Sequence, residues 1–198
     1  MAWFLLIVVG GLAALAFWWV GTHNRLVAGR NGYRNAFAQI DVQLTRRHDL
    51  IPNLVETARA YMGHERETLE AVTRARGAAV AGLGAAKAAP GEAAAMAQLA
   101  GAEGQLAGAL GRLMVAVEAY PELKASANMQ QLAEELASTE NRLAFARQAY
   151  NDAVMAYNNR REMFPGSLVA AQGGFAPAAL LEIGADEAHK RLAPRVQF

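Results

Sequence analysis

The chain has 198 residues, room for one ordinary domain or one domain plus an anchor, and enough to bury a real core. Nineteen basic against eighteen acidic residues leave a formal charge of +1, with no basic arm and no stacking motif, so nucleic acid is not an expected partner. The absence of cysteine removes disulfides, thiolate nucleophiles and zinc–cysteine sites together, and abundant Ala and Gly favour helices over sheets.

Residues 2–20, AWFLLIVVGGLAALAFWWV, carry no charge and as a helix are long enough to cross about 30 Å of hydrocarbon. They predict a single transmembrane anchor over residues 1–22, in contact with membrane lipid. A cleaved signal peptide competes, but it needs a basic leading region and a small-x-small cleavage site, and neither is present. Trp18 and Trp19 fall where an interfacial aromatic belt belongs, and Arg25, Arg30 and Arg34 follow directly. By the positive-inside rule Met1 is expected outside and the body in the cytoplasm.

From Phe37, apolar residues recur at threes and fours through Ile40, Leu44, Ile51, Leu54, Ala58, Tyr61, Leu69 and Val72. That spacing predicts a long helix facing a core. Its phase is kept across Pro52, which favours a continuous but kinked helix in which the carbonyl of His48 loses its usual partner. The alternative is a break with Asp49 as N-cap and Pro52 in the tolerant first turn.

The stretch 75–111 is low in complexity, and Pro90-Gly91 marks a turn within it. The next helix shows Leu99, Leu106, Leu110, Leu113 and Val117 on one face, interleaved with Gly101, Gly104, Gly108 and Gly111. Each glycine weakens an isolated helix by up to about 1 kcal/mol but admits a close neighbour; compositional drift is the plain explanation. Pro121 ends that helix and Ser126 or Asn128 can cap the following one, a short connection that implies antiparallel neighbours. Leu132, Leu136, Leu143, Tyr150, Val154 and Tyr157 share one register, and the helix stops at Phe164-Pro165-Gly166. The expected architecture is all-α: a single transmembrane helix followed by an antiparallel bundle over residues 23–165, with long helices near 23–84, 91–119 and 127–163. Residues 166–198 are expected to form a short helix and an extended tail.

Polar residues interrupt these stripes. The seven-residue phase puts Arg47, Glu65 and His48 at seam positions of the first body helix, and Glu140 and Arg147 at those of the third, with Asn151 and Asn158 beside the tyrosines. An internal layer of Arg–carboxylate pairs is therefore expected, with Arg46, Asp49 and Pro52 counted in the same interaction or register-setting layer. Such a layer sets register more than it stabilises, because desolvation offsets much of the attraction. Its functional alternatives are a partner-binding surface, or a ligand pocket converging on Arg46 or Arg47, Glu65 and Glu140. No catalytic, cofactor or metal residue is assigned: His64 and Glu65 lack the second histidine of a zinc peptidase, no Glu-x-x-His pair suits a di-iron bundle, and no phosphate loop or nucleophile–base pair is legible.

Several blocks carry a resemblance: QIDVQLTRRHDLIPNLVETARAYMGHE at 39–65, AYPELKA at 119–125, ENRLAFARQAYNDAVMAYN at 140–158, FPGSLVA at 164–170 and the closing APRVQF, all behind an apolar N-terminus. In that order and spacing they resemble the LemA family of bacterial membrane proteins over nearly the full chain; LLEIGADE departs from its usual aromatic-Phe-Glu stretch. The resemblance implies a bundle of long helices behind one span of the bacterial inner membrane, with no established enzymatic activity. It also points to an HtpX-like membrane zinc metallopeptidase as a partner, since genes of the family often accompany one. The leading expectation is a non-enzymatic scaffold or adaptor that forms homo-oligomers or binds such a partner in envelope quality control. A ligand- or metal-responsive sensor bundle and a membrane-shaping polymer are the rivals.

Overall fold

The computed structural model of the chain describes residues 1–183. Every regular element among them is helical: α1 Ala2–Arg59, α2 Arg66–Ala88, α3 Ala93–Val117, α4 Pro121–Lys124, α5 Ala127–Glu162 and α6 Gly166–Gln172. The APRVQF ending lies outside the described residues.

The apolar N-terminal run and the first body helix are one rod. Among the described residues α1 alone is long and apolar enough to cross a membrane, and none of its apolar window is buried in the protein. Burial begins at Leu26 and follows a stripe through Tyr33, Phe37, Ile40, Leu44, Ile51, Leu54 and Ala58. The helix is continuous through Pro52. The His48 carbonyl, which proline deprives of an N–H, accepts instead from Arg76 Nε of α2 at 2.6 Å. An interhelix bond has replaced an intrahelix one, so the alternative of a break capped by Asp49 does not occur.

The helix expected over 23–84 is divided by a turn at residues 60–65. Tyr61, counted on the apolar stripe, is 44% exposed, while its neighbour Met62 is fully buried. The Met62 N–H still bonds the Ala58 carbonyl, but the Glu65 N–H turns back to Met62. Between Met62 and Leu69 the sequence GHERET offers no apolar side chain to hold a helix against the core, and Gly63 lowers helix propensity. Farther on, Gly91 adopts φ +88° between α2 and α3, with Tyr33 and Ala178 so close that a β-carbon would clash. Glu92 then caps α3, its carboxylate accepting from the Ala94 and Ala95 amides.

Contacts fix the directions. Gly29 lies against Tyr157, Phe37 against Tyr150, and Arg47 against Glu140, so α1 and α5 run antiparallel. Asp41 pairs with Lys87 and His48 with Arg76, which makes α2 antiparallel to α1 as well. Gly82 meets the Leu99 backbone in the α2–α3 hairpin, the one glycine of α2 or α3 whose missing side chain permits a close approach between helices. The result is an up-down-up-down bundle of α1, α2, α3 and α5, with α4 as the distal connection.

Its core is in two parts. The proximal cluster, nearer the apolar end of α1, joins Leu26 to Leu44, Leu99, Leu143 to Tyr157, and Val169, Phe175, Ala178 and Leu181. The distal cluster joins Ile51 to Met62, Leu69 to Ala79, Ala102 to Val117, Leu123 and Met129. Residues 173–183 form no regular element, yet they supply three buried side chains at a spacing of three: Phe175, Ala178 and Leu181.

Candidate functional site

Between the two clusters lies a layer of charge. Glu103 on α3 is fully buried, and its carboxylate meets His48 Nε2 at 2.7 Å and Arg47 Nη1 at 3.4 Å, both from α1. As the acceptor, the carboxylate requires the His48 proton on Nε2. Arg47 also reaches Glu140 of α5 at 3.1 Å, on the exposed side of the bundle. One guanidinium therefore ties three helices, and α2 joins the same turn through Arg76 and the His48 carbonyl.

The seam expected from the sequence is thus partly assembled. Arg47 and Glu140 do meet. Arg46 approaches Glu135, not Glu140, at 3.9 Å on the surface. Asp49 and Pro52 are exposed. Glu65 lies in the α1–α2 turn, where it accepts from Thr68 Oγ1 at 3.4 Å, so it is no member of an internal layer. The helix break at residues 60–65 is the reason, because it ends the seven-residue phase on which Glu65 was counted.

The acid that does complete the layer, Glu103, was missed. Its signal was present: Leu99, Leu106 and Leu110 leave a seven-residue gap, and Glu103 fills it at the spacing of four and three that defines the stripe.

Arg147 and Asn151 belong to a second constellation, in which α5 holds the chain's own extended segment. Asn151 donates through Nδ2 to the Leu181 carbonyl at 3.2 Å and accepts at Oδ1 from the Leu181 N–H at 2.9 Å. Asn158 grips Ala178 in the same two-bonded way, at 2.8 and 3.0 Å. Tyr150 and Tyr157 donate their hydroxyls to the carbonyls of Ala179 and Ala176, each at 2.8 Å, and Arg147 Nη1 donates to that of Ile183 at 3.0 Å. The register is metric. Seven helical residues advance about 10.5 Å, and three residues of extended chain about the same. Hence Asn151 and Asn158 read tail residues three apart, as do Tyr150 and Tyr157. All these bonds go to the tail's backbone, so α5 recognises extension and not side-chain identity.

The phenols are held neutral. Burial pushes the Tyr150 hydroxyl well above the ordinary tyrosine range, with neighbouring Tyr33 adding to the effect. Tyr157 is raised by the same two causes in the same order, opposed by Arg161, Arg30 and Arg34. A protonated phenol is the form that can donate to the tail.

A shallow groove runs along the outside of α2 and α3, lined by Ala71, Ala75, Ala78, Gly101, Gly104 and Gly108, with Arg74 and Arg112 at its sides. None of Arg46, Arg47, Glu65 or Glu140 lines it. Among the described residues no group of three or more His, Cys, Asp or Glu is placed to hold a metal ion.

Compared with known proteins, the chain matches a family model described as LemA family over residues 36–198. None of the curated proteins compared with it matches.

Proposed function

The chain belongs to the LemA family, and from that premise we propose that it is a non-enzymatic membrane scaffold or adaptor, its bundle facing the cytoplasm, that acts by assembling with itself and with a membrane partner. An HtpX-like zinc metallopeptidase is the partner proposed from the family resemblance. The observation that carries the proposal is on α3. A β-carbon added at Gly101, Gly104 or Gly111 would meet nothing within 4 Å, and Gly108 has only the tip of Arg112 at that distance. These glycines weaken the helix and serve no close approach within the chain. They do leave a shallow, small-residue groove in which the backbone of a neighbouring helix can come near.

Rigidity supports the same view. Because α1 runs unbroken from its apolar segment into the bundle, the groove keeps a fixed relation to the anchor. Buried Arg47, His48 and Glu103, meanwhile, are bonded to one another, and Tyr150 and Tyr157 to the tail, a use consistent with structure more than with turnover.

The test is the paired substitution Gly104→Leu and Gly108→Leu in the full chain. Space at both positions lets the monomer fold, so circular dichroism should hold and the unfolding midpoint should hold or rise, since Leu favours the helix over Gly. The apparent mass in mild detergent should fall, and a membrane partner captured by crosslinking should be lost. A strict monomer for the unsubstituted chain, with no crosslinked membrane partner, would sink the proposal.

A further inference from the structure

The far end of α5 carries an apolar surface that the bundle does not use. Since α5 runs antiparallel to α1, its last turn returns to the level at which the apolar run of α1 leaves the body. A β-carbon at Gly166 would stand 4.0 Å from Thr22, and Phe175 stacks edge-on with His23 at 5.2 Å. The α5–α6 turn is therefore level with residue 22, about 3 Å of helix rise beyond Val20. At this turn Met163 is 66%, Phe164 80% and Leu168 54% exposed. Helix α6 buries Val169 and Ala170 and leaves Leu168, two residues past Gly166, exposed.

Charge at this level is mostly positive. Arg25 and Arg160 are exposed and Arg161 partly so, against Glu162, which pairs with Arg161 at 3.1 Å. Arg160 lies over Gly29, which keeps it beside α1. Apolar tips with arginines behind them, at the level of Thr22 where the apolar run ends, match the chemistry of a bilayer interface: hydrocarbon ahead, anionic headgroups at the collar.

We propose that the α5–α6 turn is a second membrane contact, in which Met163, Phe164 and Leu168 enter the interfacial layer of the bilayer that α1 crosses. This rests on the anchored reading of residues 2–20. Two contacts, the span and the turn, fix both the tilt of the bundle and its rotation about α1. A single span would leave rotation free. The lipid surface is the occupant because the turn that carries the patch meets α1 at Thr22, level with the end of the apolar run.

The cysteine-free chain makes the test clean. Single substitutions Phe164→Cys, Leu168→Cys, Leu12→Cys and Val115→Cys in the full-length protein carry a nitroxide label, in vesicles of phosphatidylcholine and phosphatidylglycerol in equal parts. Collision with oxygen and with a neutral nickel chelate is read by electron paramagnetic resonance. Leu12 reports the span, and Val115 the exposed surface of the distal bundle. The ratio of oxygen to nickel accessibility at 164 and 168 is expected several-fold above that at 115, and below that at 12. A water-like ratio at 164 and 168 with a bilayer-like ratio at 12 overturns the second contact and leaves the anchor standing. A water-like ratio at 12 overturns the anchor and the contact with it. Low accessibility to both reagents at 164 assigns the patch to protein and likewise overturns the proposal.

Discussion

The charge layer and the tail ladder solve opposite problems with similar polar residues. In the layer, Arg47, His48 and Glu103 are buried and satisfy one another side chain to side chain, so each member depends on the others. In the ladder, Asn151, Asn158, Tyr150 and Tyr157 bond only to backbone, and each rung stands by itself. The difference teaches that a closed network concentrates the cost of a substitution at one point, whereas a repeat distributes it. One fixes how α1, α3 and α5 stack; the other closes the proximal core, where α2 and α3 give way to a single extended strand of chain.

The sharpest contrast is within the layer itself. Glu103→Ala removes the buried carboxylate that His48 and Arg47 share, leaving Arg47 only the exposed Glu140, and removing one partner of a buried ion pair costs about 3–5 kcal/mol. Glu140→Ala removes a carboxylate that is more than half exposed, and its loss should cost no more than about 1 kcal/mol. Urea denaturation of both variants measures the difference; equal losses would mean that Glu103 is no keystone.

Next in size is Arg76. Its bond replaces the one that Pro52 removes, and a hydrogen bond from a charged donor is worth about 1.5–3 kcal/mol. Arg76→Ala should cost that much in the natural background. In a Pro52→Ala background the helix can restore its own N–H to the His48 carbonyl, so the same change should cost less by about 1 kcal/mol or more. A double-mutant cycle with no coupling would separate the two residues.

These two contrasts also locate what the sequence could reveal. The freed His48 carbonyl was legible from Pro52 alone because the defect is local, but the group that repairs it, Arg76, lies 28 positions away and has no periodic signature. Arg47 with Glu140 was legible as two breaks in otherwise apolar stripes. Glu103 sat in a stretch whose Ala and Gly make any face hard to phase, and its gap in the leucine stripe went unused. The all-α architecture and the antiparallel order of its helices followed from period and turn chemistry. The break at residues 60–65 did not, since Tyr61 fits the stripe and only tertiary contact shows that Met62 takes its place. For the ladder, Asn151 and Asn158 were visible as a pair seven apart, yet their partner is unpatterned backbone, which no side-chain periodicity can announce.

A single rung tests the distributed half of the comparison. Asn151→Ala removes two hydrogen bonds, at about 1 kcal/mol net each, so about 2 kcal/mol is at stake. The tail can carry its freed groups into water, which lowers the penalty below that of a trapped charge. Hydrogen exchange should show the Leu181 amide losing protection, while the Ala178 amide, held by Asn158, keeps most of its own. Simultaneous loss at both would make the ladder a cooperative unit like the layer.

A last effect is on pH, and its sign follows from the tyrosines. Tyr150 and Tyr157 have folded pKa values raised above the unfolded value of about 10, by burial first and then by Tyr33. Their contribution is fully present below pH 10. Above it the unfolded chain releases protons that the folded chain retains, so stability falls as pH rises towards the folded values. In the doubly substituted Tyr150→Phe, Tyr157→Phe protein, each lost phenol should cost about 1 kcal/mol at pH 8, where wild type keeps both bonds. That gap should narrow between pH 10 and 11, because the variant has no phenol there to ionise. Urea midpoints of the two proteins at pH 8, 10 and 11 give the answer. A gap that stays constant would mean that the ladder's hydroxyls ionise alike in the folded and unfolded chains, and that burial does not hold these rungs neutral.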